Sequence, residues 1–202
     1  MPVDAGRLHI RADEAGDGAD PLVLTPESCG WRFAGLRVLR LGAGERRPIA
    51  TGGDELAVVP LAGGCAVLVE GRRIALEGRT SVFDRVTDVV YLPSETEAEI
   101  VADAPCELAL PSAPARRRRD VAYIDAGDVA VEVRGAGRST RQVTNFLTPE
   151  VDVPDRLSCC EVLTPRGTRN ASPSATVTVT SHPSTRSYVR WAAMPAGPAT
   201  RK

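Results

Sequence analysis

Two arginines at either end of a glycine-containing turn, Arg134 and Arg141, are the residues of this chain best suited to act on a small molecule. A guanidinium presents its N–H groups as a fork that matches a carboxylate, so the two could hold an organic acid. The competing use is pairing with acidic side chains between packed units, the commoner fate of such arginines. Gly135 and Gly137 between them suit a tight turn better than a phosphate loop, because no helix follows the G-x-G. Glu95, Glu97 and Glu99 alternate along a strand, a spacing that makes a solvated face rather than an acid–base pair. The cysteines Cys29, Cys65, Cys106, Cys159 and Cys160 form no C-x-x-C and have no histidine near them in sequence. They read as reduced, buried thiols rather than as a zinc or redox site. Only His9 and His182 are present, too few for a metal site built mainly from imidazole. No catalytic residue and no metal ligand is assigned from these residues. Asp84, Asp88 and Asp128 look like turn residues.

The whole chain sets bounds on what such residues can belong to. Its 202 residues are 43% hydrophobic and 25% charged, the proportions of a globular protein with one ordinary domain or two small ones. The net charge of −1 gives no electrostatic reason to expect nucleic acid or a membrane as a partner. No apolar run approaches the roughly 20 residues that span a bilayer, and the N-terminus lacks the basic-then-apolar order of a signal peptide. A cytoplasmic location is the expectation. The run Arg116–Arg119 could touch phosphate, but no aromatic residues are interleaved, and a solvated connector is the better reading.

The elements that must position Arg134 and Arg141 are short strands. Residues 1–28 are rich in Gly, Asp and Pro and read as an irregular lead-in. Strand-like segments follow at Phe33–Leu41, Leu56–Leu61, Cys65–Val69, Arg72–Leu76, Thr80–Phe83, Val89–Leu92, Glu97–Val101 and Glu107–Leu110. Gly63-Gly64 is a hairpin signal within them. Such strands, spaced by Gly and Pro with almost no helical period, predict an all-β antiparallel sandwich or barrel over 29–111. Residues 112–120 form a linker. A second strand-rich stretch, 121–165, contains Tyr123-Ile124, Val129–Arg134, Arg141–Phe146 and Ser158–Leu163.

Several of these segments resemble a known family. Gly30-Trp31-Arg32-Phe33-Ala34-Gly35 with Val38-Leu39-Arg40-Leu41, and Ser81-Val82-Phe83 with Tyr91-Leu92-Pro93, resemble the bacterial 5-deoxy-glucuronate isomerases of myo-inositol catabolism. So do Val131–Gly137, Thr140–Val143 with Asn145, and Glu161–Pro165. The resemblance implies a bicupin, two barrels of the double-stranded β-helix type, here a complete first cupin and the start of a second. It implies conversion of 5-deoxy-D-glucuronate to 2-deoxy-5-keto-D-gluconate, an aldose–ketose isomerisation that needs a base and an electrophile. A divalent metal, Mn or Zn, is the electrophile expected in the intact family, held by a His-x-His segment just after the Thr-Pro where the match ends. The ligands are absent here. In the first barrel, Glu55 stands without a histidine where a metal-binding cupin would carry both, so that barrel reads as metal-free and structural. A sugar acid is the expected small-molecule partner, and a homo-oligomer is possible.

The chain changes character at Pro165. All 26 acidic residues precede it, and Leu, Ile and Phe also vanish beyond it. Read from the third base of each codon, with GC-rich codon use, Pro173–Thr180 becomes Leu-Arg-His-Arg-His-Arg-His, which resembles the family's missing imidazole run. The rival reading is a genuine strand, since Thr and Val alternate from Ala175 to Thr180. A disordered, out-of-frame tail over 166–202 is the expectation. The chain as it stands is then a family isomerase without activity; the alternative is a non-catalytic cupin module for oligomerisation or for binding a small carboxylate.

Overall fold

The apolar runs that dominate residues 35–110 are buried on both of their faces. The computed structural model describes residues 15–30, 33–164, 174–181 and 189–193. Strands β1 (Leu22–Leu24), β2 (Gly35–Leu41), β3 (Arg46–Ala50), β4 (Asp54–Val69) and β5 (Arg72–Arg79) open the first unit, with a single helical turn α1 (Pro26–Cys29) after β1. It continues through β6 (Val89–Leu92), β7 (Glu97–Val101), β8 (Cys106–Pro114) and β9 (Ala122–Ile124). One antiparallel sheet runs β1-β2-β8-β4-β6-β9, and a second joins β3, β7, β4 and β5.

Between these two sheets lies an interior filled by Leu39, Val58, Val67, Leu76, Val90, Leu92, Ile100, Leu108 and Leu110. The residues that alternate with them, Leu36, Val38, Ala57, Val59, Val89, Tyr91 and Ala109, point out of the barrel into a second core. That double burial explains why Val89–Leu92 is apolar throughout rather than alternating.

Strand β4 is long enough to belong to both sheets. Its first half pairs with β8 and β6, its second with β5 and β7, and the register shifts between Gly63 and Cys65. The hairpin expected at Gly63-Gly64 is therefore a bulge within one continuous strand. Only glycine fits there: a Cβ on Gly63, whose φ is 72°, would stand 2.5 Å from the Pro105 carbonyl oxygen, and one on Gly64 2.5 Å from the Leu76 oxygen. The strand expected over Thr80–Phe83 is a turn instead. Asp84 Oδ2 accepts from the Thr80 hydroxyl at 2.9 Å, and Phe83 N donates to Ser81 Oγ, so local side-chain bonds replace a ladder.

The second unit is an open five-stranded antiparallel sheet, β10 (Ala130–Arg134), β11 (Arg141–Leu147), β12 (Leu157–Thr164), β13 (Ser174–Ser181) and β14 (Val189–Ala193), in that spatial order. Strand β9, expected with this unit, pairs with β6 of the first. The disorder expected over 166–202 does not extend to Ser174–Ser181 and Val189–Ala193, which continue the sheet beyond β12. The alternation of Thr with Val, read as the rival signal, is the one the backbone follows there. The other residues of that stretch, and those before residue 15, lie outside the described residues, as do His9 and His182.

Candidate functional site

The register of the second sheet gives it two chemically different faces. Leu157, Cys159 and Leu163 of β12, with Phe146 and Leu147 of β11, pack against the outer face of the first barrel. A bulge between Asn145 and Leu147 lets Phe146 and Leu147 both enter that core. The opposite face carries Glu132, Arg134, Arg141, Val143, Asn145, Cys160 and Val162 as cross-strand neighbours. Glu132, Arg134 and Arg141 are exposed, and Asn145, Cys160 and Val162 half-buried.

Arg134 and Arg141 are direct cross-strand partners across the β10–β11 hairpin, so both guanidinium groups rise from the open face. Gly135 supports the connection between them: its φ is 87°, and a Cβ there would lie 2.3 Å from the Ser139 carbonyl oxygen. Arg134 Nε donates to Glu132 Oε2 at 2.8 Å, and Asn145 Nδ2 donates to Glu132 Oε1 at 2.8 Å. These contacts hold the Glu132 carboxyl below its ordinary range, the Arg134 hydrogen bond first. Arg141 donates Nη1 to the Ser139 carbonyl at 3.3 Å and meets no carboxylate among the described residues. Among the described residues, neither arginine bridges the two units.

Other residues do that. Arg79 and Glu161, both essentially buried, form a two-pronged ion pair, with Nη1 donating to Oε1 at 3.0 Å and Nη2 to Oε2 at 2.5 Å. Arg79 is fixed in turn by the carbonyls of Pro60 at 3.0 Å and Arg85 at 3.1 Å. Glu55, fully buried in β4, accepts from the Tyr91 hydroxyl at 2.6 Å and from the backbone N–H groups of Asp155 and Arg156 at 2.8 and 2.6 Å, and also from that of Leu157. Burial and the hydrogen bond to Glu55 push the Tyr91 phenol well above its ordinary value.

Sequence reasoning missed both clamps. Glu161 did leave a signal: it occupies the apolar phase set by Leu157, Cys159 and Leu163, where a charge demands a partner. The remaining candidates behave as local structure. Asp88 is buried and accepts from the backbone of Glu77 and Gly78 at 2.8 and 3.1 Å, and from the Tyr123 hydroxyl at 3.1 Å. Glu95 and Glu97 are exposed, and Glu99 pairs with Arg46 at 2.6 Å. The arginine run is tied down by acids, with Arg118 on Glu70 and Arg119 on Asp152.

The described residues do not fit a divalent metal. Among the described residues no three of His, Cys, Asp and Glu gather around one point. On the open face of the second sheet, both oxygens of Glu132 are already engaged. Burial raises the Cys65 thiol to about 12 and holds Cys106 and Cys159 above their ordinary values, which leaves them protonated.

Comparison with known proteins places this geometry in context. A profile of the KduI/IolB family matches residues 9–177. The 5-deoxy-glucuronate isomerase of Geobacillus kaustophilus is 32% identical over 169 residues, covering 83% of this chain and 61% of that protein. Its counterpart from Geobacillus thermodenitrificans matches with the same identity and coverage, 32%, 83% and 61%. The chain thus spans about three-fifths of the length of these relatives. The crystal structure of an IolB-like protein from Salmonella typhimurium superposes with a TM-score of 0.69 at 33% identity, over 74% of this chain and 57% of that one. The Escherichia coli protein YlbA shares the fold alone, with a TM-score of 0.53 at 16% identity over 77% of this chain and 59% of that one. No helix among the described residues is long and apolar enough to cross a membrane.

Proposed function

The chain belongs to the KduI/IolB family, and from that premise we propose that it is built for the aldose–ketose isomerisation of 5-deoxy-D-glucuronate in myo-inositol catabolism, as a cytoplasmic bicupin. The observation that carries this reading is the length of the match, which runs through the first barrel and most of the second sheet. The open face of that sheet is where the substrate sits. Arg141, with no carboxylate partner among the described residues, takes the sugar acid's carboxylate, and Arg134 beside it adds a second positive charge.

The isomerisation shifts a proton between adjacent carbons, so it requires a base at one carbon and charge stabilisation on the neighbouring oxygens. A divalent metal would supply the stabilisation in an intact relative, and this chain's described residues gather no ligand set for one. As the sequence stands, residues 166–202 read in the wrong frame, the imidazole run is lost, and the chain binds without turning over. Purified protein with added Mn²⁺ or Zn²⁺ is expected to form no ketose above a no-enzyme control, and turnover well above that control would overturn the reading. Resequencing the gene from the codon for Glu161 onward tests the frame: a restored His-rich frame supports the reading, and an unchanged sequence removes it.

A second reading, favoured by Arg141 having no carboxylate partner among the described residues, is a metal-independent binder of small carboxylates. Calorimetry with glucuronate in the presence of chelator is expected to show saturable binding that weakens by about tenfold in Arg141→Ala, the size of one lost charged hydrogen bond. Binding that needs added metal, or that Arg141→Ala leaves unchanged, would rule this out.

A further inference from the structure

Among the described residues, strand β10 ends the second sheet and its outer edge carries no partner strand. It pairs with β11 on one side, has no strand on the other among the described residues, and exposes all five of its residues. Val131 is 47% exposed and Val133 74%, on a strand where a protected edge would carry lysine, proline or a covering loop. The row of N–H and C=O groups along that edge is a template for another strand. The sequence of β10, Ala130-Val131-Glu132-Val133-Arg134, also says which strand would fit.

The geometry points to a second copy of this chain, added antiparallel along β10 about a twofold axis through Val133. In that register Val133 meets Val133 of the other copy. Glu132 then lies opposite Arg134 of the other copy, and Arg134 opposite its Glu132. A twofold interface must be self-complementary, and this register gives two identical opposite-charge pairs around an apolar centre. A twofold axis through Glu132 would set two glutamates face to face, and one through Val131 would place Glu132 opposite Ala130, so of these three registers the one centred on Val133 pairs Glu132 with Arg134. The side chains of these pairs rise from the open face, where Arg134 already contacts Glu132 of its own strand. Pairing would draw Arg134 further towards carboxylate and leave Arg141, one strand inward, as the arginine free for a ligand. The result is a continuous sheet of ten strands shared by two molecules.

A five-residue edge is a small interface, so the dimer is reversible, with a dissociation constant on the order of 10–100 µM. Sedimentation velocity of the full chain from about 1 µM to about 500 µM tests it. The wild type is expected to pass from monomer to dimer across that range, and a monomer throughout would overturn the inference. Glu132→Arg and Arg134→Glu each place like charges opposite one another, and each alone is expected to stay monomeric. Mixed in equal amounts, the two variants regain opposite charges at every pair and are expected to form a heterodimer. A folding defect cannot produce that recovery. Dimerisation of either variant alone at wild-type strength, or no recovery on mixing, would show that the contact lies elsewhere.

Discussion

The two units of this molecule use the same kinds of residue to different ends. In the first, β2, β4, β6 and β8 bury apolar side chains on both faces, one set filling the barrel and the other forming the contact with its neighbour. In the second, β11 and β12 bury one face and leave the other to polar groups, half-buried Cys160 and Val162 and a buried Val143. A closed, filled barrel is held by its own interior. An open sheet is held by whatever it leans on, and an apolar contact is non-directional, so it does not by itself fix where the sheet sits. The two buried clamps supply that direction. Glu55 grips three consecutive backbone N–H groups, and Arg79 grips Glu161, each joining a barrel residue to the second unit.

Removing a clamp should therefore hurt the open sheet more than the barrel. Arg79→Met strands the Glu161 carboxylate in an apolar setting and is expected to cost about 3–5 kcal/mol in chemical denaturation. Adding Glu161→Leu should restore most of that stability, and a double variant as unstable as the single one would deny the pair its role. Glu55→Gln exchanges a charged acceptor for an amide that cannot satisfy all its donors, at a cost of about 2–3 kcal/mol. Hydrogen exchange would place that loss: amides of Asp155, Arg156 and Leu157 should open first, while those of β8 keep their protection.

Two gentler measurements sharpen the contrast. Cys160 is the half-buried thiol among five, and the other four are buried. Ellman's reagent at about pH 8 should find one fast-reacting thiol in the folded protein and five after unfolding, as expected if burial shields the rest from the reagent. Several fast thiols would mean a loosened core. The smallest effect belongs to Glu132, whose folded value lies below that of the unfolded chain. Its contribution to the β10–β11 hairpin is present above the ordinary glutamate value of about 4.3 and is lost as pH falls through the lowered one. An NMR titration of the Glu132 carboxyl that showed an ordinary midpoint would remove the Arg134 and Asn145 contacts from the account.

Much of the barrel was legible because its signals are local. Val89–Leu92 and Glu97–Val101 have the expected bounds, set by apolar runs between turn residues. Gly63-Gly64 misled because glycine serves a bulge as readily as a turn, and the difference lies in Pro105 and Leu76, which are distant in sequence. Strand β3, Arg46–Ala50, left little trace, since Arg46, Arg47 and Pro48 hide a strand that pairs with β7 by position rather than by propensity. At the site, the adjacency of Arg134 and Arg141 followed from the hairpin between them. The partners of Glu55 did not, because they are backbone N–H groups about a hundred residues away, and backbone leaves no mark in a sequence.

The continuity of β4 reaches back to how the molecule is made. As the chain leaves the ribosome, the second half of β4 meets β5 at once, across a two-residue turn. The first half must wait, because Leu56–Val58 pair with Val90–Leu92 and Asp54–Leu56 with Ser112–Pro114. Until residue 92 has emerged, the run Leu56–Leu61 is apolar on both sides and unpaired on both edges, and one edge stays open until residue 114 follows. The nascent protein thus carries a sticky segment through roughly fifty residues of synthesis, several seconds at ordinary elongation rates, and the same strand that later joins both sheets is the one most in need of shelter before it does.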